Sequence, residues 1–299
     1  MKKELFKGVG TALITPFKNG QVDYTALEIL IEKQLNAKVK AIIVLGTTGE
    51  PATLNLEERE KIILTAKRII GTRAKLIVGC GSNSTSHAIT LYKQAENLGA
   101  DGALIVTPYY NKCTQGGLIE HYKAIAQNGS LPIIVYNVPS RTGVNIMPET
   151  MKKLYKIKNV YGLKEASGNI VQILDFFRLC GKQIAIYSGE DALNAIFIAL
   201  GGSGTISVAS NIFPNLCRRV IELGEQNLYD KMFILQQDMQ QFNKALFLEV
   251  NPICVKGGLS YLGLCKNQLR LPLTPISPQN LEVLKAEIDN LIGQEYDCM

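Results

Sequence analysis

Two hydrophobic rhythms alternate along the chain. Short runs rich in β-branched residues recur: "VGTALITPF", "AIIVLG", "KLIVGCG", "GALIVTP", "PIIVYNVP", "VYGLKEAS", "IAIYSGE" and "GTISVAS". Their length and near-continuous apolar character predict strands buried on both faces. Between them lie segments such as "LEEREKIILTAKRII", "SHAITLYKQAENLGA" and "GLIEHYKAIAQNG", whose apolar residues return every three or four positions. That spacing predicts amphipathic helices. Gly71 and Gly99 fall where such helices would close with a left-handed residue.

Strand and helix alternating eight times demand a parallel sheet with right-handed crossovers, and eight units predict a closed (β/α)₈ TIM barrel. The alternative is an open doubly wound sheet. Against it, "GVGTAL", "GCGSNS" and "GGSGTI" each lack the last glycine of a dinucleotide fingerprint, and there is no Walker loop. Beyond about residue 225 the strand pattern stops. "LYDKMFILQQDMQQFNKALF", "NPICVKGGLSYLGL" and "SPQNLEVLKAEIDNLIG" predict helices, and "LRLPLTPISP" predicts an extended connector. Residues 1–225 are therefore expected to form the catalytic barrel. Residues 226–299 are expected to form a C-terminal helical extension, packed on the barrel or on another subunit.

Composition narrows the function. Of 299 residues, 46% are hydrophobic and 19% charged, the balance of a globular chain rather than a disordered one. The longest apolar stretch, around "ALNAIFIALGG", is too short to span a bilayer, and "MKKELFKGVG" lacks the apolar segment of a secretory signal. Seven cysteines (Cys80, Cys113, Cys180, Cys217, Cys254, Cys265 and Cys298) are scattered singly, which fits a reducing cytoplasm better than a disulfide framework. The net charge of +6 is mild, and "MKKLYKIKN" reads as a solvated face, so a nucleic-acid partner is not expected. His87 and His121, the only histidines, are assigned to helix surfaces. Two isolated histidines argue against a histidine-rich metal site or a Ser-His-Asp triad.

Barrel enzymes place their chemistry at the carboxyl ends of the strands. The second strand ends in "GTTGE" with Thr47 and Thr48, the fourth in "TPYYN" with Tyr109 and Tyr110, and the fifth in "VYNVPSRTG" with Tyr136 and Arg141. The sixth strand supplies Lys164, the seventh "SGED", and the eighth Gly204 and Ile206, whose backbone can approach a ligand. If the sixth strand alternates, Lys164 shares its face with Gly162 and Ala166, which leave it room. Carboxylates are too few for phosphoryl transfer or for glycoside cleavage by a facing acid pair. A lysine beside a tyrosine suits carbonyl chemistry through a Schiff base.

That chemistry has a physical requirement. An ordinary lysine, with a pKa of about 10.4, is uncharged in roughly one molecule in two thousand at pH 7. An apolar barrel interior, helped by Arg141, would lower that pKa. A tyrosine beside the amine could then carry the protons of carbinolamine formation and dehydration. Each feature has a bland reading too. Lys164 could be paired with a carboxylate, Tyr136 could be a core residue, "GTTGE" could be only a turn and a helix cap, and Arg141 could lie on the surface.

Taken together, "GTTGE", "TPYYN", "YNVPSRTG", "GLKEASGN" and "LRLPLTPI" resemble the 4-hydroxy-tetrahydrodipicolinate synthases, also called dihydrodipicolinate synthases, over essentially the whole chain. These belong to the pyruvate-dependent class I aldolases, which are (β/α)₈ barrels. The resemblance implies condensation of pyruvate with L-aspartate 4-semialdehyde, the entry to diaminopimelate and lysine, with no metal or organic cofactor. It makes Lys164 the Schiff-base residue and Tyr136 its proton donor and acceptor. Thr47 and Tyr110 would complete a proton relay, Tyr110 reaching in from a neighbouring subunit of a homotetramer built as a pair of dimers. Thr48 and the backbone at Ile206 would bind pyruvate, Arg141 the semialdehyde carboxylate, and Gly189 would line the site. Lysine and tyrosine are shared across the superfamily, so a 2-keto-3-deoxy sugar acid aldolase or N-acetylneuraminate lyase is the alternative enzyme. The threonine pair and Arg141 favour the synthase. An oxo-acid-binding barrel without turnover is the non-enzymatic alternative. Ala52, Gly81, Asn83 and Tyr109 also match the pocket at which related enzymes bind lysine as inhibitor. There His87 replaces an acid, and Leu56 and Arg59 replace histidines, which implies weak or absent lysine feedback.

Overall fold

The computed structural model describes residues 4–294, so Cys298 lies outside the described residues. Eight parallel strands form the barrel: β1 (Gly8–Ala12), β2 (Ala41–Val44), β3 (Lys75–Gly79), β4 (Gly102–Val106), β5 (Ile133–Asn137), β6 (Val160–Glu165), β7 (Ala185–Ser188) and β8 (Gly204–Ser207). Each strand pairs with its sequence neighbours, and β1 closes the ring against β8 through Gly8 opposite Gly204. All eight expected strands are present. The first is shorter than its apolar run predicts, because the chain leaves the barrel after Ala12 and folds Phe17–Lys18 back on Gln21–Val22. Asn19 and Gly20, both at positive φ, make that tight turn.

Helices α1 (Tyr24–Asn36), α2 (Leu56–Ile70), α3 (Thr85–Asn97), α4 (Gln115–Ala126), α5 (Pro148–Leu154), α6 (Ile170–Cys180), α7 (Asn194–Ala199) and α8 (Pro214–Glu225) sheathe the barrel. Five of their starts are capped by side chains: Asp23 on α1, Ser84 on α3, Thr114 on α4, Asn169 on α6, and an Asn55–Glu58 capping box on α2. Gly71 and Gly99 both take positive φ, +52 and +77, after α2 and α3, but Gly71, at ψ −116, is not in the left-handed helical conformation expected of it.

One histidine departs from expectation. His121 is not on a surface; it is buried. It lies on the inner stripe of α4 with Leu118, Tyr122 and Ile125, a spacing that its polar character concealed. Its Nδ1 meets the Thr85 hydroxyl at 2.9 Å, and burial pushes its pKa down to about 4. His87 is exposed on α3, as expected.

The extension comprises α9 (Tyr229–Asp238), α10 (Gln240–Ala245), α11 (Ile253–Tyr261) and α12 (Pro278–Gly293), with a helix-free connector between the last two. The first predicted helix is broken at Met239 into α9 and α10. These helices share the barrel's outer apolar core. Phe242 packs edge-on against Phe213, and Gln236 binds the Ala195 N–H and the Asp191 carbonyl.

Inside the barrel a second cluster, including Phe6, Ile43, Ile77, Leu104, Ile134, Tyr187 and Ile206, fills the ring. Phe6 stacks on Tyr187 with centroids 4.4 Å apart, and the Tyr187 hydroxyl donates to the Phe6 carbonyl at 2.7 Å. Because Phe6 precedes β1, this contact plugs the amino end of the barrel. The open end is the carboxyl rim.

Candidate active site

A cavity of about 760 Å³ opens at that rim. Thr47, Thr48, Tyr136, Arg141, Lys164 and Gly189 line it, so six of the eight residues singled out in the sequence converge on one space. Ile206 is buried in the interior cluster, and the residue that reaches the cavity wall beyond β8 is Val208. Tyr110 does not line the cavity. It stands 91% exposed on the loop after β4, with φ +69.

The strand register explains the central pair. Tyr136 on β5 lies directly opposite Lys164 on β6, so both side chains point the same way from adjacent strands, into the barrel. Lys164 is 5% exposed, and its Nζ lies 4.3 Å from the centre of the Tyr136 ring. The alternation predicted for β6 holds. Gly162 abuts Tyr187 in the interior and Ala166 lines the cavity, whereas Glu165 turns outward to accept from Asn137 Nδ2 and the Ser167 N–H, each at 2.8 Å. The room around the amine comes equally from the next strand. A Cβ on Gly189 would stand 2.9 Å from Lys164 Cε and 2.8 Å from Ala166 Cβ. No side chain can be added there without displacing the lysine.

Electrostatics set the two groups apart. Burial lowers the Lys164 pKa to about 8; Asp191 opposes the shift and Arg141 reinforces it. Among the described residues no carboxylate makes an ion pair with Lys164. Asp191 is occupied elsewhere. One of its oxygens accepts from the Val208 and Ala209 N–H groups, both at 2.8 Å, and the other from Asn194 Nδ2 at 3.1 Å. Burial raises Tyr136 to about 12, against the pull of Arg141 and of a hydrogen bond with Thr47. The cavity thus holds an amine that loses its proton easily beside a phenol that keeps its own.

The extension supplies part of the wall that strand-end reasoning missed. Gln240, Asn243, Lys244, Phe247, Val250 and Asn251 all face the cavity. Asn251 Nδ2 donates to Thr48 Oγ1 at 3.0 Å, and the Asn251 carbonyl accepts from Arg141 Nη2 at 3.2 Å. These residues follow no strand, so the rule that finds chemistry at strand ends passes over them. Asp191 carried a signal, as one of few acids near a strand end, but not its role. Among the described residues no group of three or more histidines, cysteines or acids could hold a metal, and no helix is long and apolar enough to cross a membrane.

A plugged (β/α)₈ barrel with a buried amine of lowered pKa, a tyrosine beside it and an arginine at the mouth has the architecture of a barrel enzyme with its site at the carboxyl rim. The comparisons agree and go further. The profile of the Dihydrodipicolinate synthetase family matches residues 5–291, and the chain belongs to that family. It is 49% identical over 284 residues to the 4-hydroxy-tetrahydrodipicolinate synthase of Alkaliphilus oremlandii, covering 95% of this chain and 98% of that one. The counterpart from Thermotoga neapolitana is 47% identical, covering 94% and 97%. Among solved structures, dihydrodipicolinate synthase from Thermotoga maritima superposes with a TM-score of 0.94 at 44% identity, covering 96% of this chain and 98% of that one.

Proposed function

We propose that this chain is a 4-hydroxy-tetrahydrodipicolinate synthase that condenses pyruvate with L-aspartate 4-semialdehyde through a Schiff base on Lys164. The observation that carries the reading is the Lys164 amine, buried beside Tyr136 in an open cavity and without an ion-pair partner among the described residues. The neutral amine adds to the ketone carbon of pyruvate, and the oxygen leaves as water. The resulting iminium loses a methyl proton to become an enamine, whose carbon attacks the semialdehyde aldehyde. The adduct's own amine then displaces Lys164 and closes the ring.

Each neighbour has a part in this sequence. Tyr136, with its pKa raised to about 12, gives and recovers the protons of carbinolamine formation and dehydration, and Thr47 is the next hydroxyl in the relay. Thr48, at the start of the cavity wall, and the backbone at Ile206 hold the pyruvate carboxylate. Arg141 at the mouth binds the carboxylate of the semialdehyde, and Gly189 keeps the space about Lys164 clear. Tyr110, extended into solvent on a left-handed backbone, completes the relay of a second copy. That reading requires an oligomer, a homotetramer of paired dimers, working in the cytoplasm. Residues 1–225 act as the catalytic barrel and 226–299 as its helical domain.

The test is borohydride reduction in the presence of pyruvate, followed by peptide mass mapping and product assay. The expected result is a single adduct on Lys164 and cyclised product from aspartate semialdehyde. Absence of that adduct, or turnover confined to sialic acid or keto-deoxy sugar acids, overturns the proposal.

A further inference from the structure

The turn that carries Thr47 and Thr48 is held mostly from outside the barrel. Leu45 before it and Glu50 after it both take left-handed backbone, φ +59 and +51, a region that side chains with a Cβ keep only when their surroundings impose it. From the barrel side, Thr15 donates to the Gly49 carbonyl at 2.7 Å and Tyr136 shares a hydrogen bond with Thr47. The close fit of the strand beneath also matters, since a Cβ on Gly79 would fall 1.9 Å from the Leu45 carbonyl oxygen.

Three grips come from the extension and the connector that follows it. Asn251 donates to Thr48 Oγ1. The Lys256 ammonium on α11 forms an ion pair with the Glu50 carboxylate, and both side chains are withdrawn from solvent. The Arg270 N–H donates to Glu50 Oε2 at 3.2 Å. Lys256 is fixed in turn: its Nζ donates to the Gln268 carbonyl at 3.0 Å and lies 4.0 Å from the centre of the Phe17 ring. The Asn251 carbonyl, receiving Arg141, ties the same segment to the other side of the cavity.

We propose that Asn251 and Lys256 are positioning residues for the reaction: the C-terminal extension, through Thr48 and Glu50, sets where the Thr47 hydroxyl meets Tyr136 and where Thr48 meets the keto acid. This rests on the site reading above. A buried charge pair used only for stability would be replaceable by neutral groups of similar size. A pair that also fixes a left-handed residue at the end of a substrate-binding turn would not be.

Two variants separate these roles. Asn251→Ala removes the donor to Thr48 and no charge. The double change Glu50→Gln with Lys256→Met removes both buried charges and leaves neutral side chains of similar length. Rates are expressed per site that forms a reducible pyruvate adduct, so loss of folded protein does not enter them. Asn251→Ala is expected to raise the pyruvate KM about fivefold or more with a smaller change in kcat, the pattern of lost ground-state binding. The double variant is expected to lower kcat about tenfold or more, since small displacements of a relay are costly. Its alkaline limb should move to higher pH, because the Thr47 hydrogen bond that holds the Tyr136 pKa down is loosened. Should the double variant fail to fold, Asn251→Ala decides the question through the KM–kcat split. Normal adduct formation by the unaltered protein, with KM, kcat and pH profile of the folded variants all within about twofold of it, overturns the inference alone. Absence of the adduct in the unaltered protein overturns the site reading and the inference with it.

Discussion

Two lysines are buried among the described residues, one at the barrel rim and one where the extension meets the barrel. Lys164 shares its space with a tyrosine ring, a glycine and an open cavity, and no carboxylate pairs with it among the described residues. Lys256 is fully buried against Glu50, a backbone carbonyl and the Phe17 ring. Burial lowers the pKa of both, but at Lys256 the adjacent Glu50 pulls back by direct contact, whereas at Lys164 Asp191 acts without touching. Burial alone does not make an amine reactive. What differs is whether the fold supplies a counter-charge in contact and whether it leaves space for a reactant.

This contrast can be broken most severely at Lys164. Lys164→Ala should reduce turnover by about 10⁴-fold or more and abolish the pyruvate adduct, while the unaltered Lys256 takes none; mass mapping after borohydride reads both. A variant that kept its adduct or its rate would erase the distinction. On the other side, Lys256→Met leaves the Glu50 carboxylate buried and unpaired, so chemical denaturation should show a loss of about 3–5 kcal/mol, far more than Lys164→Ala costs.

The pH dependence sharpens the comparison on a smaller scale. In the proposed mechanism the neutral amine is the nucleophile, so the single-turnover rate of imine formation should rise with pH and level off above about 8. From pH 7 to the plateau the gain is about tenfold. A rate still climbing steeply toward pH 10 would mean that the barrel does not depress this lysine. The smallest expected effect concerns feedback. His87 and Leu56 are exposed, and Arg59 is buried with Nη2 donating to the Gly79 carbonyl at 2.8 Å. With a guanidinium there and no acid at position 87, lysine feedback should be weak or absent, and strong inhibition by sub-millimolar lysine in a titration of the steady-state rate would contradict this.

Much of the site was legible because parallel strands and their carboxyl ends can be located by rhythm alone. Lys164, Tyr136, Thr47, Thr48, Arg141 and Gly189 all sit where that rule places them. The misses have physical reasons. His121 reads as a surface residue because a polar side chain breaks an apolar stripe on paper, although a hydroxyl on the neighbouring helix meets its Nδ1. Asn251 and Lys256 belong to a helical region whose sequence pattern says only that it packs. Tyr110 was placed at the rim correctly, but its side chain leaves the chain's own cavity.

The amino-acid order by itself determined the eightfold alternation, the barrel it closes into and the face on which Lys164 lies, because period-two and period-3.6 patterns are local properties of the chain. The tertiary structure decided which buried amine has a counter-charge in contact and which has open space beside it. That depends on charges and vacant space contributed from positions far apart in sequence, Glu50 against Lys256 and Gly189 against Lys164, which no local pattern records.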